Sequence, residues 1–449
     1  MTLDMNVMAF WQNKLKAIGP RLTATDSHAK FIELLQNEIK NLGFNTIEFP
    51  FKINRCLQSS CSLENDSTKE KIPNLGPVPY SGITKEMGVK GEIRFFQSKH
   101  DVKMKGKVVV IKVKNFTIPK LLLMHQVAKY PRHTHIGFSI RHPLVAATLT
   151  LGKIQAAKDN GAVGVILVWE HISEDLANRE VLPFTNSYLG IPSVWVYQTQ
   201  LEALKRCRDR KEPVRLTLTG QYETNVTTKS FAVLVPGENR GKQILINTHT
   251  DGPNDIEENG AIALLTVLHA IKHDNLKFKN TLVFGFVSGH FQIPQSGIEG
   301  RQATSRFLRD LSMYETSQHL EMKKALGLTV EHLGGLDYVD SQKENKLIAN
   351  GLYDPLYVYA STKENRDLVL KSLSGTNVSG RYQILKPRKN AYFGEGQPLY
   401  QDGWPTISFI GMPLALCQMA SPITEPDIQS MFDQTKLIFQ ILVASDHQF

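Results

Sequence analysis

The chain has 449 residues, 41% of them hydrophobic and 21% charged, with 31 Gly and 21 Pro. That length exceeds what one hydrophobic core ordinarily supports, so two or three domains are allowed and two are expected, while the composition excludes a disordered or fibrous chain. The formal net charge of +9 would suit an anionic partner, but the Lys and Arg are spread along the chain without a recognition motif, so a solvated basic surface is expected and a nucleic-acid partner is not.

Four cysteines, Cys56, Cys61, Cys207 and Cys417, are too few and too irregular for a disulfide scaffold. Cys56 and Cys61 could bridge or bind metal, but no second pair completes a zinc site, and structural thiols are expected. The first nineteen residues lack a basic start, an uninterrupted apolar stretch and a small-residue cleavage site, and nowhere do 18 apolar residues run together. The expectation is a soluble cytoplasmic chain without a membrane partner.

From residue 6 to 43 apolar residues recur at helical spacing, with a break at Gly19-Pro20 and a second helix starting near Thr25 or Asp26, either a good N-cap. Gly43 follows as a stop, and 45–52 (NTIEFPFK) reads as a strand. The polar stretch 56–75 is expected to be a loop or linker where the chain leaves its first domain. Residues 91–96 (GEIRFF) and 106–113 (GKVVVIKV) read as strands, 151–160 as a helix, 161–168 (GAVGVILV) and 191–197 (IPSVWVY) as buried strands, and 200–207 as a short helix. Together they predict a compact α/β module.

Residues 230–235 precede a Pro-Gly turn, and 243–247 (QILIN) form an apolar strand that stops at Thr248-His249-Thr250-Asp251-Gly252. A nearly all-apolar helix is predicted over 260–272. Strands at 281–287 (TLVFGFV), 326–330 and 404–410 (WPTISFI) follow, the first ending at Ser288-Gly289-His290 and the second at Glu331-His332. Strand–helix–strand alternation with polar residues at several strand ends predicts an α/β, doubly wound sheet whose ligand binds beyond the carboxyl ends of its strands.

In this order the segments resemble the M28 zinc metallopeptidase family with an inserted protease-associated (PA) domain. Residues 18–21 (IGPR) and the helix over 26–43 are similar to the family's N-terminal segment; 106–113, 152–168 and 191–197 are similar to the strand, the K…A…GAVGVI segment and the IP strand of the PA domain. The resemblance implies a mixed sheet of the zinc-exopeptidase type built from residues 1–74 and 221–449, with a smaller α/β PA domain at 75–220. It further implies an aminopeptidase acting on N-terminal peptide bonds, a divalent metal, zinc, as one or two ions, a peptide or small amide substrate, and a protein contact through the PA domain. The family holds two zinc ions through a His in an HxD segment, a bridging Asp, a Glu-Glu pair, an Asp and a final His, and the first Glu of the pair is the general base.

The residues meet that pattern in part. His249 and Asp251 fit the HxD segment, with His249 as metal ligand and the Asp251 carboxylate expected to orient its imidazole. In the following loop Ile256 falls in the register of the bridging Asp and cannot bind metal; Glu257 is the nearest substitute, ahead of Asp255 and Glu258, although Glu residues before a helix also stabilise its positive end. Where the Glu-Glu pair is expected the chain has Gly289-His290, so His290 is a candidate ligand and a general base must come from elsewhere. At the later Asp position either Glu331 or His332 could serve; adjacent strand residues face opposite sides, so one of the two is expected to reach the site, His332 for metal or Glu331 for acid–base work. The final His is absent, and Cys417, in an apolar run, is expected in the core. Glu395, Gln397 and Asp402 on a Gly-rich loop are candidate substrate-binding residues. His125, His133, His135 and His142 crowd one segment of the insertion and are expected to be surface or interface histidines. Three functions follow: a metallopeptidase with a remodelled site using His249, Glu257, His290 and His332, with Asp251, Glu258 and Glu331 as catalytic candidates; a catalytically inactive peptidase homologue that binds peptides or proteins; or a metallohydrolase or cyclase acting on another amide.

Overall fold

In the computed structural model the described residues are 2–178, 182, 188–320, 322–376, 378–388 and 391–448. Helix Met5–Ile18 is capped by Asp4, which accepts the amide of Asn6, and helix Asp26–Asn41 by Thr25, which accepts that of His28. Phe31, Ile32, Leu35 and Ile39 form the buried stripe of the second helix and pack into the main core.

The larger sheet runs, edge to edge, Thr46–Asn65, Val214–Val235, Asn280–Val287, Asn239–His249, Lys323–Glu331, Thr406–Ile410, Leu356–Ala360, Tyr382–Lys386 and His125–Tyr130, with Val89–Gly91 added beside Val214–Val235. Four central strands, 280–287, 239–249, 323–331 and 406–410, are parallel, so they all deliver their carboxyl ends to one side. Their near-continuous burial is what a sheet covered on both faces requires. One face carries helices Gly260–His273 and Ile428–Gln448 with the two N-terminal helices; the other carries Thr304–Ser317 and Gly396–Gln401 through Phe307, Leu311 and Leu399. The fold is therefore a doubly wound α/β mixed sheet, as the alternation of segments predicts.

The polar stretch from residue 56 is not a loop: strand Thr46–Asn65 continues to Asn65, paired antiparallel with Val214–Val235 along its whole length and shifted in register between Ile53 and Arg55 and between Gln58 and Ser60. Its backbone groups are satisfied by a partner strand remote in sequence, Asn65 pairing with Val214, while most of its polar side chains are not buried. This pair of strands leads to a second, five-stranded sheet, ordered Gly76–Pro77, Ser193–Tyr197, Gly164–Glu170, Val108–Lys114, Ile93–Phe95. Helix Pro143–Asp159 packs on it, beginning eight residues earlier than its apolar pattern suggests. Trp169 and Trp195 stack at 4.6 Å in its core, and the same apolar cluster takes in Ile256, Phe291, Ile293 and Leu416. The second sheet is thus packed against the loops that leave the parallel strands of the first. Strand His125–Tyr130, from the same stretch of chain, joins the edge of the larger sheet.

Candidate metal centre

His249 is the last residue of strand Asn239–His249 and Glu331 the last of its neighbour Lys323–Glu331, so the sheet itself sets these two side by side. His249 directs Nδ1 to the carbonyl of Asp251 at 3.0 Å, and His332 directs Nδ1 to the carbonyl of Gly411 at 3.0 Å. A carbonyl can only accept, so each Nδ1 carries the proton and each Nε2 is left as a bare lone pair. The two Nε2 atoms face one another at 3.1 Å. Burial, then the neighbouring His290 and His332, lower the pKa of His249 well below its usual value; burial and then His290 lower that of His332 to about 3. Both rings are therefore neutral, the form that binds metal.

Glu331 and His332 both reach the cluster, against the expectation that one of them would. His332 lies beyond the strand's end with φ of 56°, and this left-handed residue turns the chain back so that its ring returns to the side on which Glu331 emerges. Glu331 places Oε2 3.9 Å from His249 Nε2 and accepts the amide of Glu395 on Oε1 at 2.8 Å. Glu257 places Oε1 3.5 Å from His332 Nε2 and 3.7 Å from His290 Nε2. Neither oxygen of Glu257, nor Oε2 of Glu331, has a hydrogen-bond donor. Burial raises both carboxyls to about 8, with the opposing pull of His290 next in size. Three buried carboxylate oxygens beside two bare imidazole nitrogens are a costly arrangement unless a cation sits among them.

His290 stacks on His249 with ring centroids 4.2 Å apart and gives Nδ1 to Glu395 Oε1 at 2.8 Å; the other oxygen of Glu395 accepts the amide of Thr304 at 2.7 Å. Burial alone would lower the pKa of His290, but Glu395, then Glu257 and Glu331, outweigh it and raise it to about 9. Two sets of ligand atoms, His249–Glu257–His290 and His249–Glu331–His332, each lie within 4.8 Å of one another. The site thus fits a divalent metal held by imidazole and carboxylate.

The structure places other candidates elsewhere. The Asp251 carboxylate does not touch His249; it accepts the amides of Gly289, His290 and Phe291 and the hydroxyl of Thr23, and so fixes the loop that carries His290. Glu258 is committed to a fully buried ion pair with Arg21. Asp402 pairs with Lys324 at 2.7 Å, at the amino end of strand Lys323–Glu331 and about 20 Å from its carboxyl end. Gln397 is half-buried in helix Gly396–Gln401, and no described contact joins it to the cluster. Glu395 stands behind His290 as its anchor. Cys417 is buried in the apolar cluster that also holds Ile256. His125, His133 and His135 are exposed, while His142 is buried as the N-cap of helix Pro143–Asp159. Gly289 has φ of 109°, and a Cβ there would collide with the Ser296 side chain, so this turn excludes a glutamate at that position. Glu395 as the partner of His290 has no signal in the sequence, since 105 residues separate them.

A cavity of about 270 Å³ opens onto the cluster. Glu257, His290, Glu331 and His332 line its floor, and Leu123, Leu144 and Leu149, from the segment between the two sheets' strands, help form its apolar wall.

This fold is that of the M28-type zinc aminopeptidases. The chain is similar to BSAP, a zinc aminopeptidase from Bacillus subtilis, with a TM-score of 0.66 and 14% identity over 98% of this chain and 95% of that one. An aminopeptidase from Aneurinibacillus sp. strain AM-1 gives 0.64 and 15% over 98% and 93%, and an M28 peptidase precursor from Shewanella amazonensis 0.63 and 12% over 98% and 96%. Comparison of the sequence with family models and with curated proteins gives no match. Among the described residues no helix is long and apolar enough to cross a membrane.

Proposed function

We propose that the chain is a zinc-dependent aminopeptidase with a rebuilt, single-ion site that releases apolar residues from the amino end of peptides. The observation that carries this reading is the convergence of two bare imidazole nitrogens, on His249 and His332, with three unpartnered carboxylate oxygens on Glu257 and Glu331. In this reading His249, His332 and Glu331 hold the ion, which supplies the Lewis acidity that polarises a carbonyl and activates water. Glu331 is assigned as ligand because the Glu395 amide already fixes its other oxygen. Glu257, with both oxygens unpartnered, takes the proton from the attacking water, the task the family gives to a residue that Gly289 replaces here. His290, held by Glu395, is placed to return a proton to the departing amine. The apolar wall of the cavity supports an apolar side chain in the residue released. The likeness to aminopeptidase structures supports peptide as the substrate over another amide, and the metal-fitting donor set supports an active enzyme over an inactive binding module.

Elemental analysis and a panel of aminoacyl 4-nitroanilides test the proposal. Bound zinc and chelator-sensitive cleavage of leucyl or phenylalanyl anilide are expected. His332→Ala should lose metal and activity together. Glu257→Gln should keep the metal while the rate falls about a hundredfold or more. Protein purified without chelator that holds no transition metal would sink the reading.

A further inference from the structure

Between residues 102 and 158 the chain has eleven Lys and Arg and no Asp or Glu, although acidic residues make up 43 of the 449. The same stretch holds an unusual share of the exposed large apolar side chains: Phe138 is 89% exposed, Leu121 74%, Leu122 67% and Leu149 62%, with Phe116 and Val127 also exposed. Leu121, Leu122, Phe138 and Leu149 are close in space. The Lys120 amide donates to the Phe138 carbonyl, which sets the turn Lys120–Leu123 beside Phe138, and Leu123 and Leu149 share the rim of the cavity above the metal centre. Basic groups border them: Arg388 donates to the Leu121 carbonyl at 3.2 Å, exposed Lys386 lies opposite His125 in the sheet, and exposed Lys114 and Arg132 flank the patch in sequence.

We infer that this face, centred on Leu121, Leu122 and Phe138, docks on an anionic lipid surface and turns the mouth of the cavity towards it. Exposed leucine and phenylalanine gain by entering the boundary between headgroups and acyl chains, and a basic border is attracted to anionic headgroups from a distance. A contiguous apolar patch of this kind is uncommon on a surface that faces only water. Charge complementarity selects an anionic bilayer over a neutral one, and the contact is peripheral, since no described helix could span. The inference does not depend on the chemistry of the metal centre.

Co-sedimentation of the full chain with phosphatidylcholine vesicles, with and without phosphatidylserine, tests it. Binding to the phosphatidylserine vesicles alone, declining as salt is added, is expected. The variant Leu121→Asp/Leu122→Asp/Phe138→Asp should weaken it about tenfold or more, and Arg132→Glu/Lys386→Glu should weaken it and flatten its salt dependence. All five side chains are exposed, so the thermal midpoint should be unchanged and serves as the folding control. Absence of binding at low salt, or binding that the triple variant leaves intact, overturns the inference. So does a change of oligomeric state in the triple variant with vesicle binding unaltered, which would make the face a protein interface.

Discussion

Asp251 shows how one side chain can serve a metal centre without touching metal. Its two oxygens accept three consecutive amides, those of Gly289, His290 and Phe291, which would otherwise be buried without acceptors. An asparagine there keeps a single acceptor oxygen and turns an NH2 group towards amide hydrogens. Asp251→Asn is therefore expected to lower stability by about 2–4 kcal/mol, read by urea denaturation, and to slow turnover by displacing His290, the proton donor, while the metal is retained. The HxD spacing singles out both residues, but not this division of labour, because the amides that need Asp251 come from a loop 38 to 40 residues further along.

At the scale of elements, Arg21 ties the break between the first two helices to the loop that supplies Glu257. Its backbone pairs with Gly252, and its buried guanidinium meets Glu258 and the carbonyls of Leu15, Gly19 and Asn254. Arg21→Met should cost about 3–5 kcal/mol, because Glu258 is then buried without a counter-charge, whereas Arg21→Met/Glu258→Gln should recover much of that loss. A double-mutant cycle in urea checks the coupling; additive losses would show that the pair is not a unit. The elements legible in the sequence are those that carry their own period or their own apolar run: the N-terminal helices and the buried strands ending at His249, Val287 and Glu331. The strand through Cys56–Asn65 is not, since its polar alternation is stabilised by hydrogen bonds to residues 214–222.

For the whole molecule, two buried histidines outside the metal centre link stability to pH. Burial lowers both His28 and His142 to about 4. Each has its Nδ1 occupied as an acceptor, from the amides of Ala24 and Leu144, and its Nε2 directed at Thr250 Oγ1 and the Pro413 carbonyl. A second proton would break the Nδ1 bond. In the unfolded chain the rings titrate near 6.5, so between about pH 6.5 and 4 the unfolded state takes up protons that the folded state refuses, and stability falls as pH falls. Each ring accounts for up to about 3 kcal/mol of that fall, with nothing added above pH 6.5. His142→Asn keeps a cap acceptor and removes the titration, so the stability gap between it and the parent chain should narrow from neutral pH towards pH 4. A gap that stays constant would mean that His142 titrates normally.

The amino-acid sequence by itself determined the doubly wound α/β architecture and the strand ends at which chemistry could sit, because apolar runs and their punctuation are local properties of the chain. The even spread of Lys and Arg suggested an ordinary solvated surface; the missing carboxylates between 102 and 158 acquire meaning when Leu121, Leu122 and Phe138 are seen to emerge there together. Tertiary structure alone decided which candidates meet. The left-handed turn at His332 brings it beside Glu331, Glu395 arrives behind His290 from a remote loop, and Glu258 and Asp402 are drawn away by Arg21 and Lys324. Convergence depends on the register of distant strands and on the competition of each carboxylate for its nearest cation, and neither is encoded in the spacing of neighbouring residues.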